Sequence, residues 1–268
     1  MYSFKAHENK RIVIIKQSPF DYEYVATVDF DGVVKIWMTF LDKWSLIQTY
    51  TIKTAGIEWI NGDILASRYA QTISIWSISS GQTQRTINTS SIIYSLKLLS
   101  NGCLAAGVGT KINIYKISDG SLVSSLIGHT DDVNDLILIN SDILASGSSL
   151  SILIWNLTTN ASKFIPNGNY KSDVGLKQVS TSVIVSGYND STIKLWNITN
   201  GTLIRTLTET KSVILDFIDV IINTDGEILM SVEHIKSNQT ISLWNLSTGK
   251  RLLEKEIHLN ISSLVVIN

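Results

Sequence analysis

Six short segments of this chain superimpose on one another: "GVVKIWM" around Trp37, "TISIWSI" around Trp76, "KINIYKI" around Tyr115, "SILIWNL" around Trp155, "TIKLWNI" around Trp196 and "TISLWNL" around Trp244. Their aromatic residues follow one another at 39, 39, 40, 41 and 48 residues. Each segment is short, rich in Ile, Leu and Thr, and close to alternating, which is the pattern of a strand packed on a core. A lone hairpin of such strands buries too little apolar surface to persist in water. A unit repeated at this period must therefore pack against copies of itself.

The fourth unit shows the internal plan most plainly, as "HTDDVNDLILI", "DILASGS", "SILIWNL" and "ASKFIPNG". Turn-forming clusters recur at matching places, as "NGD" at 61–63, "SNG" at 100–102 and "NSD" at 140–142. After the aromatic strand come "SSGQ", "SDGS", "TNGT" and "STGK". These residue types close tight turns, so each unit reads as a four-stranded antiparallel meander. The central strands are apolar on both faces, which predicts a sheet covered on each side by a neighbouring sheet. Radial stacking around an axis meets that demand and leaves only short, protected edges. With 44% hydrophobic residues over 268 positions the chain can build such a core, and 1–268 reads as a single all-β domain.

The 22 Lys and Arg against 23 Asp and Glu give a formal net charge of -1, with no basic block. No nucleic-acid partner is expected on that balance, and no membrane partner, since a polybasic patch is missing too. The longest apolar run, "SVILDFIDVII" at 212–222, is broken by Asp216 and Asp219 and is too short to span a bilayer. No uninterrupted apolar leader is visible near the N-terminus. The expected location is the cytoplasm, with the nucleus as the alternative. Cys103, in "GCLAAG", reads as an inert core thiol. Without metal-ligand spacing or a phosphate-cradling glycine loop, no metal and no cofactor are expected, and a small-molecule substrate is disfavoured. The N-x-[ST] triplets at Asn156, Asn197 and Asn245 read as chance products of a chain rich in Asn, Ser and Thr.

With six units in register, the chain resembles the WD40 family of β-propellers over essentially its whole length. The resemblance rests on the period, on the aromatic strand, and on the strand seen as "ILASRY", "CLAAGV", "ILASGS" and "VIVSGY". The family's Gly-His dipeptide occurs once, as Gly128-His129. Its Trp-Asp dipeptide never occurs, because Met38, Ser77, Lys116, Asn156, Asn197 and Asn245 follow the aromatic residue. The resemblance implies a hydrogen-bonded set of His, Ser or Thr, Asp and Trp inside a blade. By offset from the tryptophan, the first unit supplies His7, Thr27, Asp31 and Trp37. The fourth supplies His129, Ser146 and Trp155, with Ser149 in the acid's place, and the fifth Ser186, Asp190 and Trp196, with Tyr170 where the histidine falls. These sets read as structural rather than catalytic, because buried polar groups need partners and the family repeats the pattern where no chemistry occurs.

The end fragments "YSFKAH" and "HLNISSLVVIN" resemble the outermost and innermost strands of one closing blade. Six full repeats plus a partial closing blade are expected, on a seven-bladed plan incomplete at the C-terminus; a six-bladed ring is the alternative. The extra length between Trp196 and Trp244 is expected as a loop insertion near "EHIKSN", 233–238.

The resemblance implies a non-catalytic scaffold or adaptor. Its partners would be other proteins or peptides, bound by the loops between second and third strands and by those joining blades. Arg68 and Tyr69, Tyr188, Glu233 and His234 fall on such loops, and Tyr170 and Lys171 at a blade junction. Tyr and Arg are frequent interface anchors because they bury large area with few rotors. One alternative, a propeller hydrolase, needs carboxylates or histidines converging on the central channel, whereas the strands expected there are mainly Ile, Leu, Val and Ser. A second, a ubiquitin-ligase substrate receptor, is weakened by Phe40, Ile78 with Ser79, Thr158, Thr199 and Ser247 standing where such receptors often carry a basic residue.

Overall fold

The computed structural model describes residues 7, 10, 12–21, 23–40, 43–166, 175–188, 192–208, 214–223, 226–235 and 238–257. Those residues form six four-stranded antiparallel sheets, one for each repeat. The first contains β1 (Ile12–Gln17), β2 (Tyr24–Asp29), β3 (Val33–Phe40) and β4 (Lys43–Thr51). The second contains β5 (Gly56–Trp59), β6 (Ile64–Tyr69), β7 (Thr72–Ser77) and β8 (Thr83–Asn88). In the third are β9 (Ile93–Leu98), β10 (Cys103–Val108), β11 (Lys111–Lys116) and β12 (Leu122–Ile127). The fourth holds β13 (Asp135–Leu138), β14 (Ile143–Gly147), β15 (Ser151–Asn156) and β16 (Ser162–Pro166). The fifth has β17 (Gly175–Gln178), β18 (Val183–Gly187), β19 (Thr192–Asn197) and β20 (Thr202–Thr208). The sixth has β21 (Ile214–Asn223), β22 (Gly226–Ile235), β23 (Asn238–Asn245) and β24 (Arg251–Ile257). First strands of consecutive sheets touch in the series β1, β5, β9, β13, β17 and β21, so these strands lie innermost and the sheets are arranged radially.

The core is not inside any sheet. Five apolar layers lie between sheets, and each takes one face from either neighbour. Between the third and fourth, Cys103, Ala105, Ile112, Ile114 and Leu126 meet Val133, Leu136, Leu144, Leu153 and Trp155. Between the fourth and fifth, Ala145, Ile152, Ile154 and Ile165 meet Leu176, Ile184 and Trp196. The other three junctions repeat the scheme, with Tyr115, Trp76 or Trp244 contributed by the later sheet. Alternation along a strand thus sends Ile152 and Ile154 to one neighbour and Leu153 and Trp155 to the other. Both faces are dry, which is why β10 is buried at all six positions.

Polar clips at the rim supplement the apolar layers. Arg85 on β8 donates from Nη1 and Nη2 to the carbonyls of Asp119 (2.8 Å) and Ser118 (2.7 Å) in the third sheet. Arg205 on β20 does the same to Thr248 (3.0 Å) and Ser247 (3.1 Å) in the sixth, and Lys163 on β16 reaches Thr199 O at 2.6 Å in the fifth. Each receiving turn carries a glycine at positive φ, Gly120, Gly249 and Gly201. A Cβ on Gly249 would fall 2.7 Å from Arg205 Cδ. The same turns explain the missing Trp-Asp dipeptide. Asn156 Oδ1 accepts the N–H groups of Thr158 and Thr159, Asn197 Oδ1 those of Thr199 and Asn200, and Asn245 Oδ1 that of Thr248. The turn needs an acceptor oxygen, not a charge, so Asn serves as well as Asp. The three N-x-[ST] triplets therefore have a structural cause and are not chance.

The expected loop near 233–238 is corrected. The extra residues instead lengthen the sixth sheet's strands, where His234 pairs with Gln239 and Glu233 with Thr240. The reason is that "SVEHI" and "NQTIS" can continue the ladder that "LM" and "LW" begin. The terminal segments expected to close the ring, 2–7 and 258–268, lie outside the described residues apart from His7.

Arg205→Ala should cost about 1 kcal/mol through its lost hydrogen bonds. Gly249→Ala should cost about 1–3 kcal/mol through strain at φ +73 and the clash with Arg205. In the double variant the glycine substitution should cost less, because the arginine is no longer in the way. Urea titrations of the four proteins measure this coupling, and strictly additive costs would remove the clip from the account.

Candidate partner-binding face

In the first blade, Thr27 and Asp29 share a face of β2 two residues apart, and His7 lies across both. Trp37 Nε1 donates to Thr27 Oγ1 (2.8 Å), His7 Nε2 is 2.8 Å from the same oxygen, and His7 Nδ1 is 3.1 Å from Asp29 Oδ2. With the hydroxyl accepting from the indole and donating to Nε2, the neutral ring carries its proton on Nδ1 and donates it to Asp29. Burial lowers the His7 pKa, against the opposing pull of Asp29. Asp31 is not in this set. It sits in the turn beyond the strand and pairs at the surface with Lys10, while Asp29 Oδ1 also accepts the N–H groups of Asp31 (3.0 Å) and Val33 (2.8 Å).

The fourth blade repeats the arrangement without an acid. Ser146 Oγ accepts from Trp155 Nε1 (2.7 Å) and lies 2.6 Å from His129 Nε2. His129 Nδ1 faces Ser148 Oγ (3.1 Å) and Ser151 Oγ (3.0 Å), so Ser149 is not the acid's substitute. With no bonded carboxylate, burial lowers the His129 pKa to about 4. In the fifth blade Trp196 Nε1 donates to Ser186 Oγ (2.8 Å), which donates to Tyr188 Oη (2.8 Å). Tyr188 thus fills the histidine's role. Asp190 and Tyr170 lie outside the described residues, as does Lys171.

A Thr27–His7–Asp29 set has the residue types of a nucleophilic triad, yet its members are 1%, 5% and 3% exposed. No substrate reaches the hydroxyl. The channel strands also differ from expectation, because charge lies among the apolar residues. Glu58 on β5 is buried and binds Lys16 of β1 through Oε2 and Lys97 of β9 at 3.0 Å through Oε1. Burial acts to raise its pKa, and the two lysines outweigh it and hold the carboxylate below its ordinary value. Asp135 on β13 is raised by burial, but its two oxygens accept the N–H groups of Leu136 (2.8 Å) and Leu176 (2.7 Å). Both carboxyl groups join neighbouring blades. Lys16, Glu58 and Lys97 face Ala26, Ala66 and Ala105 in register, a signal present in the aligned repeats. Among the described residues, no group of three or more His, Cys, Asp or Glu could hold a metal ion.

The loop residues divide. Tyr188 is 1% exposed, so its placement on a binding face is corrected; its ring lies inside the blade with Lys194 Nζ 4.7 Å above it. Arg68 spends Nη1 on Ile93 O of the next blade (2.8 Å), and its stem fills the space beside Gly56. Glu233 and His234 are in β22 rather than in a loop. Tyr69 is open at 49% exposure, with Lys53 Nζ 6.0 Å from its ring centroid. Apolar residues beside it carry no sequence signal that sets them apart from core. Phe30, Ile92, Ile127 and Leu150 are all exposed on the same end of the blades. Backbone bonds tie these loops together: Ile93 N–H to Ala70 O, Gly109 N–H to Ile92 O, Val133 N–H to Gly109 O and Asn134 N–H to Gly147 O.

These radial, antiparallel, four-stranded sheets define a β-propeller. More narrowly, the chain has a WD40-type β-propeller fold. A family model described as "WD domain, G-beta repeat" matches residues 120–156 and 160–197. The solved structure of U3-55K superimposes with a TM-score of 0.77 at 16% identity, over 92% of this chain and 82% of that one. Autophagy-related protein 16 of Arabidopsis thaliana is 24% identical over 163 residues, 59% of this chain and 31% of that protein. Zinc finger CCCH domain-containing protein 59 of the same plant is 30% identical over 133 residues, 47% and 28% respectively. The chain thus spans less than a third of either relative. WD40 propellers are generally non-catalytic and generally act as protein-interaction scaffolds.

The buried histidine gives a pH signature. Below 6.5 the unfolded chain takes up a proton that folded His129 refuses until about pH 4, so stability falls across that window and levels off beneath it. Between pH 7 and 4.5 the wild type should lose about 2 kcal/mol more than His129→Gln. Urea midpoints of the two proteins across this range check it; parallel pH profiles would contradict a neutral buried His129.

Proposed function

We propose that the chain is a non-catalytic scaffold that docks partner proteins or peptides on the end of the propeller formed by its second-to-third-strand turns and blade junctions. The observation that carries this reading is the exposed apolar arc of Phe30, Tyr69, Ile92, Ile127 and Leu150. None of these side chains is needed to fill a layer between blades, and a run of exposed apolar residues on rigid, mutually bonded loops has a cost in solubility that binding offsets. The competing apolar residues, such as Leu203 with Ile204 and Leu252 with Leu253, are pairs on separate outer strands.

The test compares affinity capture from native lysate by the wild type, a Phe30→Ser, Tyr69→Ala, Ile92→Ser, Ile127→Ser variant, and a rim control, Leu203→Ser with Ile204→Ser. Specific partners should disappear from the first variant and remain with the second. Loss from the rim control alone moves the docking site to the outer strands, and no specific partner for any of the three sinks the scaffold reading.

A further inference from the structure

The second blade departs from the first, fourth and fifth at one spot. In those three, the tryptophan N–H is taken by Thr27, Ser146 or Ser186. Ser67 is the equivalent residue, facing Ser74 as Ser146 faces Leu153, yet Trp76 Nε1 is buried and has no hydrogen-bond partner among the described residues. An indole N–H can only donate, and leaving it buried and unpaired costs as much as losing a hydrogen bond.

Two sequence changes produce this. The position of Ser74 is Lys35, Asn113, Leu153 and Lys194 in the first, third, fourth and fifth blades, so a long side chain is replaced by a short one. The connection that brings His129 into the fourth blade runs from Leu126 to Asn134, whereas its counterpart runs only from Tyr50 to Ala55 and carries no histidine. The result is a cavity of about 230 Å³ between the first and second blades. Tyr50 and Trp76 form its aromatic walls, edge to face at 4.8 Å. Ile52 adds apolar surface, and Ser67, Ser74 and Thr83 add hydroxyls. Among the described residues, Lys53 is its one cationic group and no Asp or Glu lines it. Asp63, which acts on Tyr50 from outside the lining, is taken up by Ser77 Oγ (2.9 Å) and Ser79 N–H (2.8 Å).

We propose that this cavity is a binding site for a small aromatic carboxylate. The space exceeds the ~150 Å³ that accommodates a benzene ring in an apolar cavity, which leaves room for one ring and a carboxylate. The ring packs against Tyr50, Trp76 and Ile52. The carboxylate oxygens accept from the hydroxyls of Ser67, Ser74 and Thr83, and Lys53 supplies the balancing charge. The site adjoins the apolar docking arc, since Lys53 Nζ also lies 6.0 Å from the Tyr69 ring centroid.

Indole ¹⁵N–¹H spectra of the whole chain, with the Trp76 signal assigned by its loss in Trp76→Phe, follow a titration with sodium benzoate. The Trp76 signal should shift and saturate as the ring packs on the indole, with Kd on the order of 1 mM for so small a ligand, while the other indole signals hold still. Ser74→Leu, which restores the residue type that Leu153 supplies in the fourth blade, should weaken binding at least about tenfold. Lys53→Ala, a change at an exposed residue that leaves the core intact, should weaken benzoate severalfold without affecting benzyl alcohol. A Trp76 signal that ignores benzoate and shows only transfer from water assigns the space to solvent and overturns the proposal. So does equal binding by Ser74→Leu, or by Lys53→Ala should the leucine variant not fold.

Discussion

A four-stranded sheet of six-residue strands has two faces and can hide neither by itself. In this chain each face is hidden by the face of the next repeat, so the unit of stability is the junction and not the blade. Ile152 and Leu153 are neighbours in sequence and belong to different cores. Burying a side chain of this size is worth roughly 1.5–3 kcal/mol, and every junction contributes several on both sides. This arrangement makes stability a sum of nearest-neighbour terms, and the polar features of the molecule follow from the need to keep adjacent sheets in register while those layers form.

Arg85, Arg205 and Lys163 act at the rim, where the layer thins, by clamping the turn of the following sheet. Glu58 acts at the axis, where three innermost strands converge and one buried carboxylate bridges two lysines from the sheets on either side. A buried ion pair adds little net stability over a well-packed apolar group, because desolvation consumes most of its Coulombic gain. Its effect here is positional. A carboxylate with two cations in reach tolerates few alternative placements of β1, β5 and β9, whereas leucines in the same places would tolerate many.

The architecture was legible because it is written as periodicity, and periodicity survives the loss of any one residue. The aromatic strand was recognisable even with Tyr115 replacing tryptophan, and the turns even without the Trp-Asp dipeptide. The site was much less legible. Tyr188 was read as a loop anchor because its number falls just beyond a strand, but alternation puts it on the Ser186 face, where its hydroxyl accepts from Ser186. Counting from Trp37 points to Asp31, whereas the hydrogen bond reaches Asp29 because it depends on which side of β2 a residue faces. Offsets along the chain fix strands; they do not fix which side chains meet across them. Phe30 and Ile127 were overlooked for a related reason, since apolar residues near a strand end look like core until exposure is known.

The blades also show how a buried polar link changes while the fold stays the same. The first uses His7 with a carboxylate, the fourth His129 with two serines, and the fifth a tyrosine hydroxyl. In the third, Asn113 Nδ2 donates to Tyr115 Oη and its Oδ1 accepts from Ser125. What these solutions share is that the aromatic residue's polar atom has a partner from its own blade. That requirement comes from desolvation: the donor is stripped of water by the neighbouring sheet and must be repaid within hydrogen-bond distance. The second blade alone among these has lost the partner yet kept the tryptophan, and has lost bulk at Ser74 as well. Packing economy predicts the opposite pairing, a larger residue where a polar contact is missing, so the first-to-second junction is the place among these where neither a bulky side chain nor a hydrogen bond makes good the loss.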